Sequence, residues 1–241
     1  MAGDDTTPEG EQVNIYGNHV GSWNFAATAY LNRWKVKIYY EHYFDDHSQM
    51  FFQYGRWKDG HIGLEITFPK NHFIDTFVYE GLGTKDQTGP MLYDSFWGEF
   101  EEQISAKDNY YNHYLYQGWQ HWGMGIGNPL LPGPIYNKNG QITFISNRVL
   151  AHHIGFCGSP CQSLSYRMLL SYSRHWGTYD NPLNEIKKQF NSLFEVTYAP
   201  QQLKGWSFTV SGAMDRGSIL GNNYGGMLVI RKQGIIKSGN K

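Results

Sequence analysis

No stretch of this 241-residue chain approaches the roughly 18 to 20 consecutive apolar residues of a membrane helix. That excludes a helical membrane protein but not a membrane barrel, whose strands turn every second residue toward a polar lumen. Charge of one sign is also lacking. The formal net charge is −1 with no basic block, which argues against nucleic acid as the main partner. The opening MAGDDTTPEGEQ is polar and lacks the apolar core of a secretion signal, as in a cytoplasmic chain or a mature form. Cysteine is scarce. Cys157 and Cys161 sit in CGSPC between two strand-like runs, where they could staple a hairpin tip as a disulfide or remain free thiols. Without further Cys or a clustered His, that spacing speaks against zinc. Nothing in the chain requires a cofactor.

Aromatic residues and glycine are what the chain has in excess. Aromatics make up 17%, Gly reaches 28 residues, and charged residues total only 17%. This mixture suits a strand-rich protein with aromatic belts, or a soluble carbohydrate binder, since both use rings with an apolar face and a polar tip. Alternation with period 2 recurs along the chain. In SLSYRMLLSYS (163–173), Leu164, Tyr166, Met168, Leu170 and Tyr172 share one side, serines and Arg167 hold the other, and only Leu169 breaks the pattern. Similar runs are SWNFAATAYL, WKVKIYYEHYF, MFFQYGRW, HIGLEITF, FIDTFVYE, QITFISNRVLAHHIGF, QFNSLFEVTY, KGWSFTVSGAMD and GGMLVIRKQGII. About ten to twelve strands are expected.

Between about 91 and 140 the alternation lapses. Phe96, Phe100 and Ile104 recur at helical spacing and predict a short amphipathic helix, followed by a long Gly/Asn/Pro-rich loop. Several runs hold pattern for ten residues or more. Soluble strands typically span about 5 to 6 residues, whereas outer-membrane strands need roughly 9 to 11. Long and short connections also fall at opposite ends: the 120s–130s loop, about 175–188 and RGSILGNN on one side, CGSPC and PQQLK on the other. These features predict an antiparallel up-and-down transmembrane β-barrel, or part of one, over 13–236. Residues 1–12 are expected to be disordered and 237–241 to form a tail. Tyr166, Tyr172, Trp34 and Tyr40 lie where interfacial girdles form. A soluble β-sandwich, acting as a carbohydrate-binding module or glycoside hydrolase, is the competing architecture. A passive porin is a third.

GNHVGSWNF (17–25), TKDQTGP (84–90), NYYNHYLYQGWQHWGMGIGNPLL (109–131) and DRGSILGNNYGG (215–226) together resemble the carboxy-terminal half of the Wzi family of capsule assembly proteins, especially versions from Bacteroides-like bacteria. The resemblance spans about 13 to 236. It implies a non-enzymatic barrel in the outer membrane of a Gram-negative bacterium, surrounded by lipid and retaining capsular polysaccharide by lectin-like binding. Members are about twice as long, so the resemblance also implies a fragment, half of a two-piece barrel with a partner subunit, or a short variant closed on itself.

Sugar recognition needs exposed rings to stack on pyranose faces and amides or imidazoles to hold hydroxyls. Tyr110, Tyr111, Asn112, His113, Trp119, Gln120, His121, Trp122 and Asn128 of the long loop supply both. The same residues could instead pin the loop against the lumen wall. Lys85, Asp86 and Gln87 suit a structural use better than recognition. GMGIGN lacks the strand-loop-helix unit of a dinucleotide site. Glu99, Glu101 and Glu102 read as a solvated helix face rather than glycosidase carboxylates. Adjacent His152 and His153 point to opposite faces of a strand. Arg167, Glu195, Asp215 and Arg231 are expected in lumen charge pairs.

Overall fold

The computed structural model describes residues 21–44, 59–71, 73–87, 109–112 and 119–234. Its strands are β1 (Gly21–Leu31), β2 (Trp34–Phe44), β3 (Gly60–Thr67), β4 (Thr76–Gly83), β5 (Gln120–His121), β6 (Met124–Gly125), β7 (Val149–Cys161), β8 (Leu164–Gly177), β9 (Pro182–Tyr198), β10 (Trp206–Gly217) and β11 (Asn223–Lys232). β5 and β6 pair as a small hairpin; the other nine form one sheet in the order β1-β2-β3-β4-β7-β8-β9-β10-β11. Every pairing is antiparallel. The architecture is thus all-β and up-and-down. Among the described residues the only helical element is a 3₁₀ turn at Pro134–Tyr136, and no helix is long and apolar enough to cross a membrane.

Residues directly opposite in an antiparallel ladder share a face, so the registers carry each strand's alternation across the whole sheet. Phe25 lies opposite Tyr40, Ile38 opposite Leu64, and Leu64 opposite Tyr79. Tyr79 then meets Ile154, Ile154 meets Leu170, and Met168 meets Phe194. Val196 faces Val210, and Val210 faces Leu228. One face of the sheet is therefore apolar from edge to edge. It is also open: Phe25 is 53% exposed, Ile38 54%, Val210 62% and Leu228 65%. At the far end of β2, however, His42 on this face is fully buried. Among the described residues no second sheet stacks on the apolar face, as a sandwich would require.

The packed core lies on the other face. Leu82, Val149 and Ala151 project from the polar side of β4 and β7, at one end of the sheet. They are buried with Tyr110, Tyr111, Leu131 and Phe144 of the 84–148 connection, and Tyr43, Trp119 and Leu130 pack around them. The described parts of the connection thus pack on the polar face.

Several sequence-derived boundaries move. Residues 141–148 are not strand, because Phe144, Ser146 and Asn147 are buried in the loop instead. The β7–β8 turn falls at Gln162 and Ser163, two residues beyond the proposed CGSPC tip, and Cys157 and Cys161 are free thiols on β7. A bulge between Gly158 and Cys161 accounts for the extra length. There a Cβ on Gly158 would fall 1.7 Å from the Phe73 carbonyl oxygen, so only glycine admits this close approach. The supposed long connection at 175–188 is mostly strand, leaving 178–181, and 218–222 is equally brief. The asymmetry between the two ends therefore rests on 45–59 and 84–148 alone. The expected helix around Phe96, Phe100 and Ile104, the MFFQYGRW strand, and the terminal segments 1–12 and 237–241 lie outside the described residues.

The sheet is not closed into a barrel: no ladder joins β1 to β11 among the described residues. In a nine-stranded meander the first and last strands run in the same direction. Direct closure would have to be parallel.

Candidate functional site

The loop-covered end of the polar face is built around buried amides. Asn147 Nδ2 donates to Asn109 Oδ1 (2.6 Å) and to the Tyr110 carbonyl. Its Oδ1 accepts from Gln87 Nε2 (2.9 Å), and its carbonyl accepts from Thr84 Oγ1 (2.7 Å). One buried side chain thus ties both ends of the 88–108 stretch to the start of β7. The Tyr110 hydroxyl donates to Asp59 Oδ2 (3.1 Å), and Asp59 Oδ1 accepts the Asp86 amide (3.0 Å). Lys85 and Arg174 flank the Trp176 ring at 5.2 and 5.0 Å. Lys85, Asp86 and Gln87 therefore hold structure together here.

The nominated sugar-contact residues separate into two groups. Tyr110, Tyr111 and Asn128 are buried. Tyr111 adopts φ 62° and packs its ring 6.3 Å from that of Phe144. Asn128 Oδ1 accepts the Leu130 amide (3.0 Å), and Asn112 Oδ1 accepts the Phe144 amide (3.2 Å). Trp119 leans on the core, with its amide donating to the Tyr111 carbonyl (3.0 Å). Gln120 Oε1 accepts the Gly123 amide (2.8 Å) and closes the β5–β6 turn. That turn presents the second group. His121 is exposed, and Trp122, at φ 53°, is 82% exposed with its ring edge-on to His121 at 6.1 Å. Non-glycine residues in the left-handed region are uncommon and strained, and such strain clusters at functional sites. His113 lies outside the described residues.

Sequence reasoning missed the organisation of the polar face away from the loop. His61 lies between Glu41 (3.7 Å) and Glu80 (3.5 Å), and the Tyr39 hydroxyl donates to Glu80. Ser22 Oγ donates to Glu41 (2.7 Å), and His153 Nδ1 bonds Ser171 Oγ (2.7 Å). Further along, Arg167 pairs with Glu195 (3.4 Å), Ser211 Oγ donates to Glu195 (3.1 Å), and Asn191 Nδ2 donates to Asp215 (2.6 Å). Of the charged strand residues, Arg167 and Glu195 do pair on the polar face, whereas Asp215 takes an amide partner. His152 and His153 do part: His152 bonds the Tyr79 hydroxyl (2.8 Å) on the apolar face. Among the described residues no group of three His, Cys, Asp or Glu side chains is placed to hold a metal ion. Each residue of this layer looked like an ordinary polar strand position, and only the register brings them together.

Chemically, the arrangement offers an exposed indole and imidazole at a loop tip above a hydrogen-bonding wall. No family model matches the chain, and no curated protein matches it.

Proposed function

We propose that this chain is a wall segment of a Gram-negative outer-membrane β-barrel that helps assemble or retain capsular polysaccharide by lectin-like binding, without catalysis. The observation that carries the membrane part is the apolar face running across the nine strands, where Phe25, Ile38, Val210 and Leu228 are each more than half exposed, with the packed core of the described residues on the opposite, polar side. Half-exposed Ile, Phe or Val side chains each forgo on the order of 1 kcal/mol of burial in water. Over the whole face this approaches the total stability of a domain, about 5–15 kcal/mol. Lipid removes that cost. The resemblance to Wzi proteins supports the capsule part, and exposed Trp122 and His121 supply a stacking ring and a hydrogen-bonding partner at the loop tip.

Lipid does not tolerate open strand edges, so the wall must be completed. Because β1 and β11 run the same way, antiparallel closure takes an odd number of further strands. The total is then even, as in bacterial single-chain barrels. A second copy in the same membrane orientation would meet β11 with a parallel β1 and does not satisfy this.

Membrane extraction tests the proposal. The protein is expected to stay with outer membranes through carbonate washing and to be released only by detergent. A protein that is soluble and monomeric without detergent overturns the membrane reading. Retention of the detergent-purified protein on capsule-coated resin tests the binding half separately.

A further inference from the structure

Leu169 interrupts the alternation of β8, and the registers show what it joins. It lies opposite Gly155 of β7 and Leu193 of β9, Gly155 lies opposite Val78 of β4, and Leu193 opposite Ala213 of β10. The polar face therefore carries a transverse apolar row. At Gly155 the Leu169 side chain leans inward, its Cδ2 3.1 Å from where a Cβ would stand, and a concavity of about 320 Å³ opens between β4, β7 and β8. This lies at the small end of the range for small-molecule sites, about 300–1,000 Å³. Val78 and Leu169 line the dip from either side of Gly155.

The two bordering rows have opposite character. On one side stand Glu80, His153 and Ser171, directly registered with one another. On the other stand Thr76, Cys157, Arg167 and Glu195. Arg167 touches Glu195 through Nη2 at 3.4 Å, and about half of its side chain, 51%, remains exposed. A planar guanidinium carries five N–H donors, so one contact leaves others available to a carboxylate.

We propose that this concavity binds one acidic pyranose unit, of the uronic acid class. The apolar CH face of the ring rests on Val78 and Leu169, and its carboxylate turns toward Arg167. Its hydroxyls meet Ser171, His153 and Glu80. This assignment rests on the polysaccharide-binding reading above and names a subsite for it on the sheet itself, away from the loop tip.

The test titrates the detergent-purified protein with a uronic acid trisaccharide and with a neutral trisaccharide of the same linkage, by calorimetry. The wild type is expected to prefer the acidic probe at least tenfold. Gly155→Leu fills the dip and is expected to lower affinity for the acidic probe at least tenfold. Arg167→Gln keeps the dip open and is expected to equalise the two probes. Folding of Gly155→Leu is checked by heat-modified gel mobility, and Arg167→Gln carries the test if that variant does not fold. Equal binding of the two probes by the wild type overturns the proposal, as does undiminished acid preference in Arg167→Gln. Loss of binding in Trp122→Ala alone overturns this subsite but leaves the polysaccharide reading standing. A wild type that binds neither probe, nor capsule resin, overturns both.

Discussion

At the scale of single residues, burial separates side chains that look alike in sequence. Trp119 and Trp122 both lie in an aromatic-rich stretch, yet one packs against the loop core and the other is 82% exposed. Trp122→Ala is therefore expected to weaken retention on capsule-coated resin and leave thermal stability unchanged. Trp119→Ala is expected to cost about 2 kcal/mol, within the usual range for emptying a partly packed aromatic site, seen as a lower unfolding midpoint. Asn147 has a different role. Removing its amide strands its partners on Gln87, Asn109 and the Tyr110 carbonyl; unsatisfied buried groups each cost about 1–3 kcal/mol. Asn147→Ala is expected to speed hydrogen exchange at the Asn112 and Trp119 amides, both bonded within that loop. Unchanged exchange there would show that the loop does not depend on the clasp.

At the scale of elements, adjacent positions on one strand should respond oppositely to the same charge. Val210 lies on the apolar face and Thr209 beside it on the polar face, where its hydroxyl meets that of Thr197 (2.8 Å). In a lipid-facing wall, Val210→Arg is expected to cost about 2–4 kcal/mol near the bilayer midplane, and Thr209→Arg much less. Urea unfolding of vesicle-inserted protein measures both; equal, small effects would remove lipid from the apolar side. Most strands were legible because alternation is local. The alternating runs WKVKIYYEHYF and KGWSFTVSGAMD are strands β2 and β10. Turn positions were less legible. CGSPC resembles a tip, but the bulge at Gly158 is dictated by the Phe73 carbonyl, a contact remote in sequence.

At the scale of the whole molecule, strand count and direction control assembly. β1 and β11 run the same way, and no ladder connects them among the described residues. Spin labels at Thr28 and Val229, both on the polar face, are expected to sit farther apart than about 10 Å, two strand spacings. A separation near one spacing, about 5 Å, would mean that the sheet closes on itself in parallel. β3 and β4 have eight residues each, slightly under the roughly 9–11 of a spanning strand, whereas β9 has 17. The β9 end of the wall is expected to project beyond the bilayer, read out as protease-accessible sites in 182–188 of vesicle-inserted protein.

Sequence alone determined that the strands are two-faced, since a period of two is a property of adjacent residues and needs no partner. It also singled out Leu169 as an exception, and it placed an aromatic-rich segment between two strand-dense halves. Tertiary structure decided everything that depends on which residues become neighbours. Cross-strand register ran the apolar stripes into one continuous surface, put Gly155 and Val78 in line with Leu169, and set His61 between two carboxylates. Packing sent Tyr110 inward and left Trp122 outside. Register and packing are long-range choices, fixed by turn geometry and by what each face covers, and a strand's own alternation is the same whichever side it turns to the core.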